Sequence, residues 1–258
     1  MIVGLLMLGG GAVAGMFGSL LGLGGGILIV PLLTLGFGLP LREAVGVSLV
    51  SVIMTSSAAA GVYLERHVAN LRLGMTLELF TATGALVGGS VAFLLDERLL
   101  AVLFAVLLAY IAFTMVRRHP AAGPEPTGEE GAADGYVVVH MGKGFVGATF
   151  AGVVSALLGI GGGIIKVPLM HLTMGVPLRV ATATSNLMIG ITAAASAVIY
   201  LLRGEIDPYV AGPTAIGVFL GASLGSRVAP RIDLRYLRAL FIIVLVYTAS
   251  QMLLKAIG

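Results

Sequence analysis

Gly22-Leu-Gly-Gly-Gly-Ile-Leu-Ile-Val-Pro-Leu32 and Gly159-Ile-Gly-Gly-Gly-Ile-Ile-Lys-Val-Pro-Leu169 stand 137 residues apart in a chain of 258. In each, three glycines interrupt hydrophobic sequence, and a proline follows five residues after the last of them. Sliding the chain against itself by the same 137 positions aligns Ala14–Tyr110 with Ala151–Tyr247 without a gap, with 37 identities at 97 positions. That is an internal duplication. It reaches Pro40-Leu-Arg42 and Pro177-Leu-Arg179, Ser48 and Ser185, Tyr63 and Tyr200, and the pairs Asp96, Arg98 and Asp233, Arg235.

What solvent the duplicated unit folds in follows from composition. Hydrophobic residues make up 58% of the chain and charged residues 10%, with a mean hydropathy of +1.07. A water-soluble domain carries roughly 25% charged residues, so a solvated surface cannot be built here. The 38 glycines, with many Ala, Ser and Thr, suit membrane helices whose backbones approach closely. Cysteine is absent, which removes disulfides and thiolate metal or iron–sulfur sites. No metal or cofactor site is expected. The excess of three positive charges is spread singly between apolar runs, so nucleic acid is not an expected partner.

Each copy holds five apolar segments. They cover about residues 2–21, 26–39, 44–64, 74–95 and 99–116, then 138–158, 163–176, 181–201, 211–230 and 236–254. No basic region precedes Ile2–Leu21, which reads as a first membrane segment and not a cleaved leader. Between the copies, RRHPAAGPEPTGEEGAADGY concentrates Pro, Gly and acids and reads as a polar linker. The expected organisation is a first transmembrane repeat at 1–116, a linker at 117–136 and a second repeat at 137–258. The fold class is an all-α polytopic membrane protein of eight to ten helices. The short second segments fall below the roughly 20 residues a crossing needs, and read as half-helices or tilted partners in broken hairpins.

Charge decides parity, because cytoplasmic loops are enriched in Lys and Arg. If the first two segments return the chain to its starting side, Arg66, Arg72, Arg117, Arg118, Lys143, Arg179, Arg231, Arg235 and Arg238 share one side. Arg42, Arg98, Arg203 and Lys255 take the other, nine against four. An even number of crossings per copy leaves seven against six. The bias favours inverted repeats, with both termini outside and the linker in the cytoplasm.

Paired Gly- or Pro-interrupted segments are the best sequence pointer to a transporter's central site. Gly24, Gly25, Gly26, Gly161, Gly162 and Gly163 are therefore candidate substrate-binding positions, where helix starts present backbone N–H groups to an anion. The bland alternative is that these glycines only allow close helix packing. A phosphate-binding loop is a poor reading, since no strand precedes the glycines and no Lys-Ser/Thr ends them. Lys166 stands where the first copy has Ile29; an ammonium in the bilayer and in a helix's first turn calls for a negative partner. That partner is either a carboxylate from another helix or the substrate, unless Lys166 snorkels to an interface. Ser48, Ser185 and Asn186 add hydroxyls and an amide on the third segments. Glu78 and His171 are candidates for proton coupling, as ionisable groups in membrane segments.

The duplicated Leu-Leu-Gly-x-Gly-Gly-Gly-Ile-x-x-x-Val-Pro-Leu pattern, followed by Pro-Leu-Arg and a Ser-rich segment, resembles the TauE/SafE sulfite exporter family, also called the 4-toluene sulfonate uptake permease family. The resemblance implies a multi-pass protein of the cytoplasmic membrane that carries sulfite, an organosulfonate or another small anion by secondary transport. That family is described with about eight helices in two halves of four. The five segments per copy read here depart from this unless the short ones belong to broken helices.

A membrane-embedded enzyme would need a catalytic constellation, and the apolar segments carry no paired histidines, nucleophile elbow or carboxylate cluster. A membrane scaffold is the other alternative, and the linker gives it nothing to stand on. Small anion and lipid are the expected partners, with a homo-oligomer left open. The inverted arrangement predicts that cysteines placed at Arg42 and at Arg179 in this cysteine-free chain are labelled from opposite sides of the membrane. Labelling from one side would contradict it.

Overall fold

The computed structural model describes residues 2–20, 26–65, 69–117, 136–228 and 234–257. Most of the linker, at 118–135, lies outside them, as do Gly24, Gly25 and the charges at Arg66, Arg118 and Arg231. Among the described residues the chain is all helix and turn, as the absence of any period-two hydrophobic pattern requires.

The helices are α1 (Ile2–Leu20), α2 (Gly26–Pro31), α3 (Leu41–Glu65), α4 (Leu71–Ala92), α5 (Glu97–Arg117), α6 (Met141–Leu158), α7 (Gly163–Pro168), α8 (Leu178–Leu202), α9 (Pro208–Val228) and α10 (Leu234–Ile257). Six of the described helices are long and apolar enough to cross a bilayer. Large apolar side chains such as Val106 and Phe150 point outward, the pattern of a multi-pass protein that faces lipid.

Two short helices depart from this rule at the same point of their sequence. Pro31 and Pro168 lack the N–H that would bond the fourth preceding carbonyl. Immediately after each, the helix widens into a π-helical turn, at Leu32–Gly36 and at Leu169–Thr173. Each then closes on a backbone bond into the widened turn, Leu39 N–H to the Leu33 carbonyl and Val176 N–H to the Met170 carbonyl.

Both short helices fold back on the helix before them. A Cβ built on Gly162, Gly147 or Gly144 would meet Ser155, Leu169 and Met174 respectively, so α7 and its π turn run antiparallel to α6. Five residues separate α1 from α2, and Leu32 lies against Gly10 of α1, the same fold-back. The inner ends of these hairpins stop partway along the long helices. Gly26 packs on Ser48 and Val52 of α3, and Gly163 on Ser185 and Ile189 of α8.

The long helices pair across the two halves of the sequence. α1 packs against α9, and α4 against α6; α3 packs against α9, and α4 against α8; α3 packs against α8, and α5 against α10. Glycine permits the closest of these contacts. A Cβ on Gly221 would collide with the Ala12 carbonyl oxygen, and one on Gly152 with that of Thr81. Contacts of Leu8 with Gly217, Ala12 with Gly221 and Met16 with Gly225 advance together, so α1 and α9 run parallel. Thr149 with Gly84 and Val153 with Gly88 show the same for α6 and α4. In contrast, α3 and α8 are antiparallel: Ser56 meets Asn186 and Gly190, while Gly46 meets Tyr200 and Glu205.

Candidate functional site

The second hairpin joins α6 to α7. At its turn, Gly159, Gly161 and Gly162 have φ of +70°, +78° and +75°, a left-handed backbone that a side chain would strain. Gly159 caps α6 by donating its N–H to the Ser155 carbonyl, and Gly162 caps the start of α7. The first hairpin reaches the same place, since a Cβ on Gly26 would lie 2.7 Å from the Gly159 carbonyl oxygen. Ser48 ties the two together. Its Oγ is 2.8 Å from the Gly159 carbonyl and 3.2 Å from that of Gly26, and it donates to one of them at a time.

Ser185 stands at the matching place on α8, with its Oγ 3.6 Å from a Cβ built on Gly163. It is buried and has no hydrogen-bond partner, and the same is true of Ser155 beside Gly162. Other hydroxyls of the long helices, including Ser51, Thr81 and Ser196, bond the carbonyl four residues back. Among the described residues, Ser155 on α6 and Ser185 on α8 thus bring two unpartnered donors to the second hairpin. A buried polar group in that state costs about 1–3 kcal/mol, and an anion accepting from either would recover it.

Lys166 lies in the first turn of α7, 1% exposed, and its Nζ is 3.2 Å from Oε2 of Glu78, itself 4% exposed. Thr192 on α8 completes the group: its hydroxyl accepts from Nζ and donates to Glu78 Oε1 at 2.6 Å. Three helices thus close one ion pair. Of the two partners open to Lys166 on sequence, the structure contains a carboxylate from another helix. Glu78 is buried where α4 packs on α6 and α8.

The remaining candidates lie elsewhere. Asn186 donates its amide to the Thr182 carbonyl of its own helix at 3.1 Å, and its backbone carbonyl accepts from Ser56. His171 sits on the π turn after α7, with Nδ1 2.9 Å from the Val176 carbonyl oxygen. Arg42 is anchored at the end of the bundle, donating to the Leu95 carbonyl at 2.6 Å with its guanidinium 5.7 Å from the Phe93 ring. Gly24 and Gly25 fall outside the described residues.

Two members of this group were not singled out from sequence as binding residues, Thr192 and Ser155. A signal for the pairing of Glu78 existed in the repeat. Glu78 aligns with Ala215 and Lys166 with Ile29, so a lone acid and a lone base both replace apolar residues. Neither can stay unpaired in lipid.

The family model described as Sulfite exporter TauE/SafE matches residues 7–252. The chain belongs to this family. It is 26% identical over 262 residues to the probable membrane transporter protein YunE of Bacillus subtilis, covering 96% of each chain. A probable membrane transporter protein of Xylella fastidiosa is 28% identical over 88% of this chain and 85% of its own. Sulfite exporter TauE/SafE family protein 6 of Arabidopsis thaliana is 36% identical over 98 residues, 38% of this chain and 23% of its own. No solved structure matches. These relatives support membrane transport, and the family is one of transporters, not of enzymes.

Removing one member of a buried ion pair leaves an uncompensated charge, at a cost of about 3–5 kcal/mol, whereas replacing both can be nearly neutral. Lys166→Met is therefore expected to lower the melting temperature of the purified protein sharply, and Lys166→Met with Glu78→Gln to recover most of the loss. Additive losses in the double variant would contradict the pairing.

Proposed function

We propose that the protein is a secondary transporter of a small sulfur-containing anion, sulfite or an organosulfonate, in the cytoplasmic membrane. The anion binds between the two repeats, beside Lys166, the turn at Gly161–Gly163 and the glycine run Gly24–Gly26, with Ser48 and Ser185 flanking it. The single observation that carries this is the meeting of two interrupted hairpins midway along α3 and α8, with a buried ammonium in the first turn of one of them.

The reading takes residues 1–116 and 137–258 as inverted repeats joined by a cytoplasmic linker at 117–136. Three features support it. Exchanging the halves turns the α1–α9 contact into α6–α4 and α3–α9 into α8–α4, and it maps α3–α8 and α5–α10 onto themselves. The parallel run of α1 with α9 and of α4 with α6 is what an axis in the membrane plane gives when each half makes an odd net crossing. The positive-inside bias selects the same parity.

A tetrahedral or pyramidal sulfur oxyanion presents several acceptor oxygens to one side. Lys166 offers charge, Ser155 and Ser185 offer unused donors, and the glycine turns offer backbone without side chains in the way. The names of the family and of its plant member include sulfite export, which agrees with that chemistry. No nucleotide-binding motif is present in the sequence, so an ion or substrate gradient supplies the drive.

Purified protein in liposomes is expected to release loaded sulfite or methanesulfonate well above the protein-free rate, and to leave an uncharged solute behind. Lys166→Met should weaken anion binding by about 1–3 kcal/mol, the scale of hydrogen bonds to charged groups, and Lys166→Arg by less. Release of both anions at the protein-free rate would overturn the proposal.

A further inference from the structure

We propose that Glu78 is an internal stand-in for the transported anion: its carboxylate neutralises Lys166 in the empty site, and when the anion takes that place Glu78 takes up one proton, so that anion and proton cross together. This rests on the reading that the anion binds at Lys166.

The argument begins with charge. Lys166 and Glu78 are both buried, and the empty pair is neutral. An arriving monovalent anion would set two negative charges against one ammonium inside a low-dielectric bundle, where such an excess is held only at high cost. Adding one proton to a Glu78 oxygen restores neutrality in the loaded state. The proton comes from water on binding and returns to water on release, and no bond to the anion forms. Both states then move through the membrane with zero net charge at the site.

Thr192 is built to serve both states. Its Oγ1 is 2.6 Å from Glu78 Oε1 and 3.0 Å from the Met188 carbonyl oxygen, and it owns a single hydrogen. Pointed at Glu78, the hydroxyl donates to a carboxylate. Turned to Met188, it leaves a lone pair into which a protonated Glu78 can donate. The partners of the neutral acid are thus already in place.

Two small voids flank the pair. A narrow crevice between α4 and α8 runs from Asn70 and Thr184 to Glu78. A second void, at the turn of the α6–α7 hairpin, is lined by Ser155 and Gly162, and a Cβ on Gly162 would lie 3.5 Å from Lys166 Cε.

Other charged or titratable groups on the packed elements are few. Arg72 lies on α4 nearly two turns before Glu78, Lys143 is exposed on α6, and Arg179 starts α8. His171, after α7, has its Nδ1 at the Val176 carbonyl. Among the described residues, Lys166 is the one cation in an ion pair with Glu78.

The test uses wild-type protein in liposomes with methanesulfonate, which stays a monoanion across the pH range, and with sulfite. A pH one unit lower outside than inside should drive uptake to about a tenfold higher internal concentration of methanesulfonate, because one unit of proton gradient is worth a factor of ten for one-to-one coupling. A protonophore should abolish the accumulation. In Glu78→Gln, verified as inserted and monodisperse, flux should no longer respond to the pH gradient. Wild-type flux that ignores the gradient would overturn the coupling while leaving the transport reading intact, and so would tenfold accumulation by Glu78→Gln. Absence of flux for both probes would overturn the transport reading and this proposal with it.

Discussion

Hydrocarbon offers backbone and charge no solvent, so every interruption of a membrane helix must be answered by protein. That constraint organises this molecule. Two hairpins turn inside the bundle, and the helices that cross the midplane are placed to satisfy them. Ser48 answers carbonyls from both hairpins, Gly159 caps α6, and the π turns after Pro31 and Pro168 take up the carbonyl registers the prolines leave behind. The same constraint draws Glu78 to Lys166, since neither charge can remain alone at that depth.

The two halves carry this scheme unequally. At the first hairpin the serine of the crossing helix is bonded, and the residue aligned with Lys166 is the buried, apolar Ile29. At the second, Ser185 and Ser155 lack partners and the ammonium is present. Among the described residues, the ammonium and the two unpartnered serines all lie in the second half. The proposed anion site lies between the copies: Lys166, Ser155 and Ser185 come from the second, Glu78 and Ser48 from the first. A buried ion pair gives little net stability compared with apolar residues of the same size, so its presence here calls for a role in function.

That the chain is all-helical and multi-pass was legible because its signals are local or periodic. The ten apolar stretches read from sequence each contain one helix or one hairpin arm, with boundaries shifted by a few residues. The short segments at 26–39 and 163–176 are the fold-back arms α2 and α7 with their π turns. The site was legible only in part. Lys166 could be singled out because repeat alignment exposes a base facing Ile29, but its partner lies 88 residues away on α4. No periodicity links positions that far apart; only the packing of α4 on α6 and α8 does. Asn186 has a local partner that the sequence alone does not reveal. An amide in an apolar helix looks like a ligand, yet its own helix supplies the Thr182 carbonyl one turn back, a bond that competes with any substrate.

The central claim is that an anion binds at Lys166, between the two hairpins. Selenite is a close chemical analogue of sulfite, and its selenium scatters anomalously. Its position in crystals of the protein therefore tests the claim most directly. The account predicts an anomalous peak within hydrogen-bonding distance of Lys166 Nζ, on the side of the Gly161–Gly163 turn, with the Lys166–Glu78 contact lengthened. Selenite bound elsewhere in the bundle, with that contact intact, would contradict it.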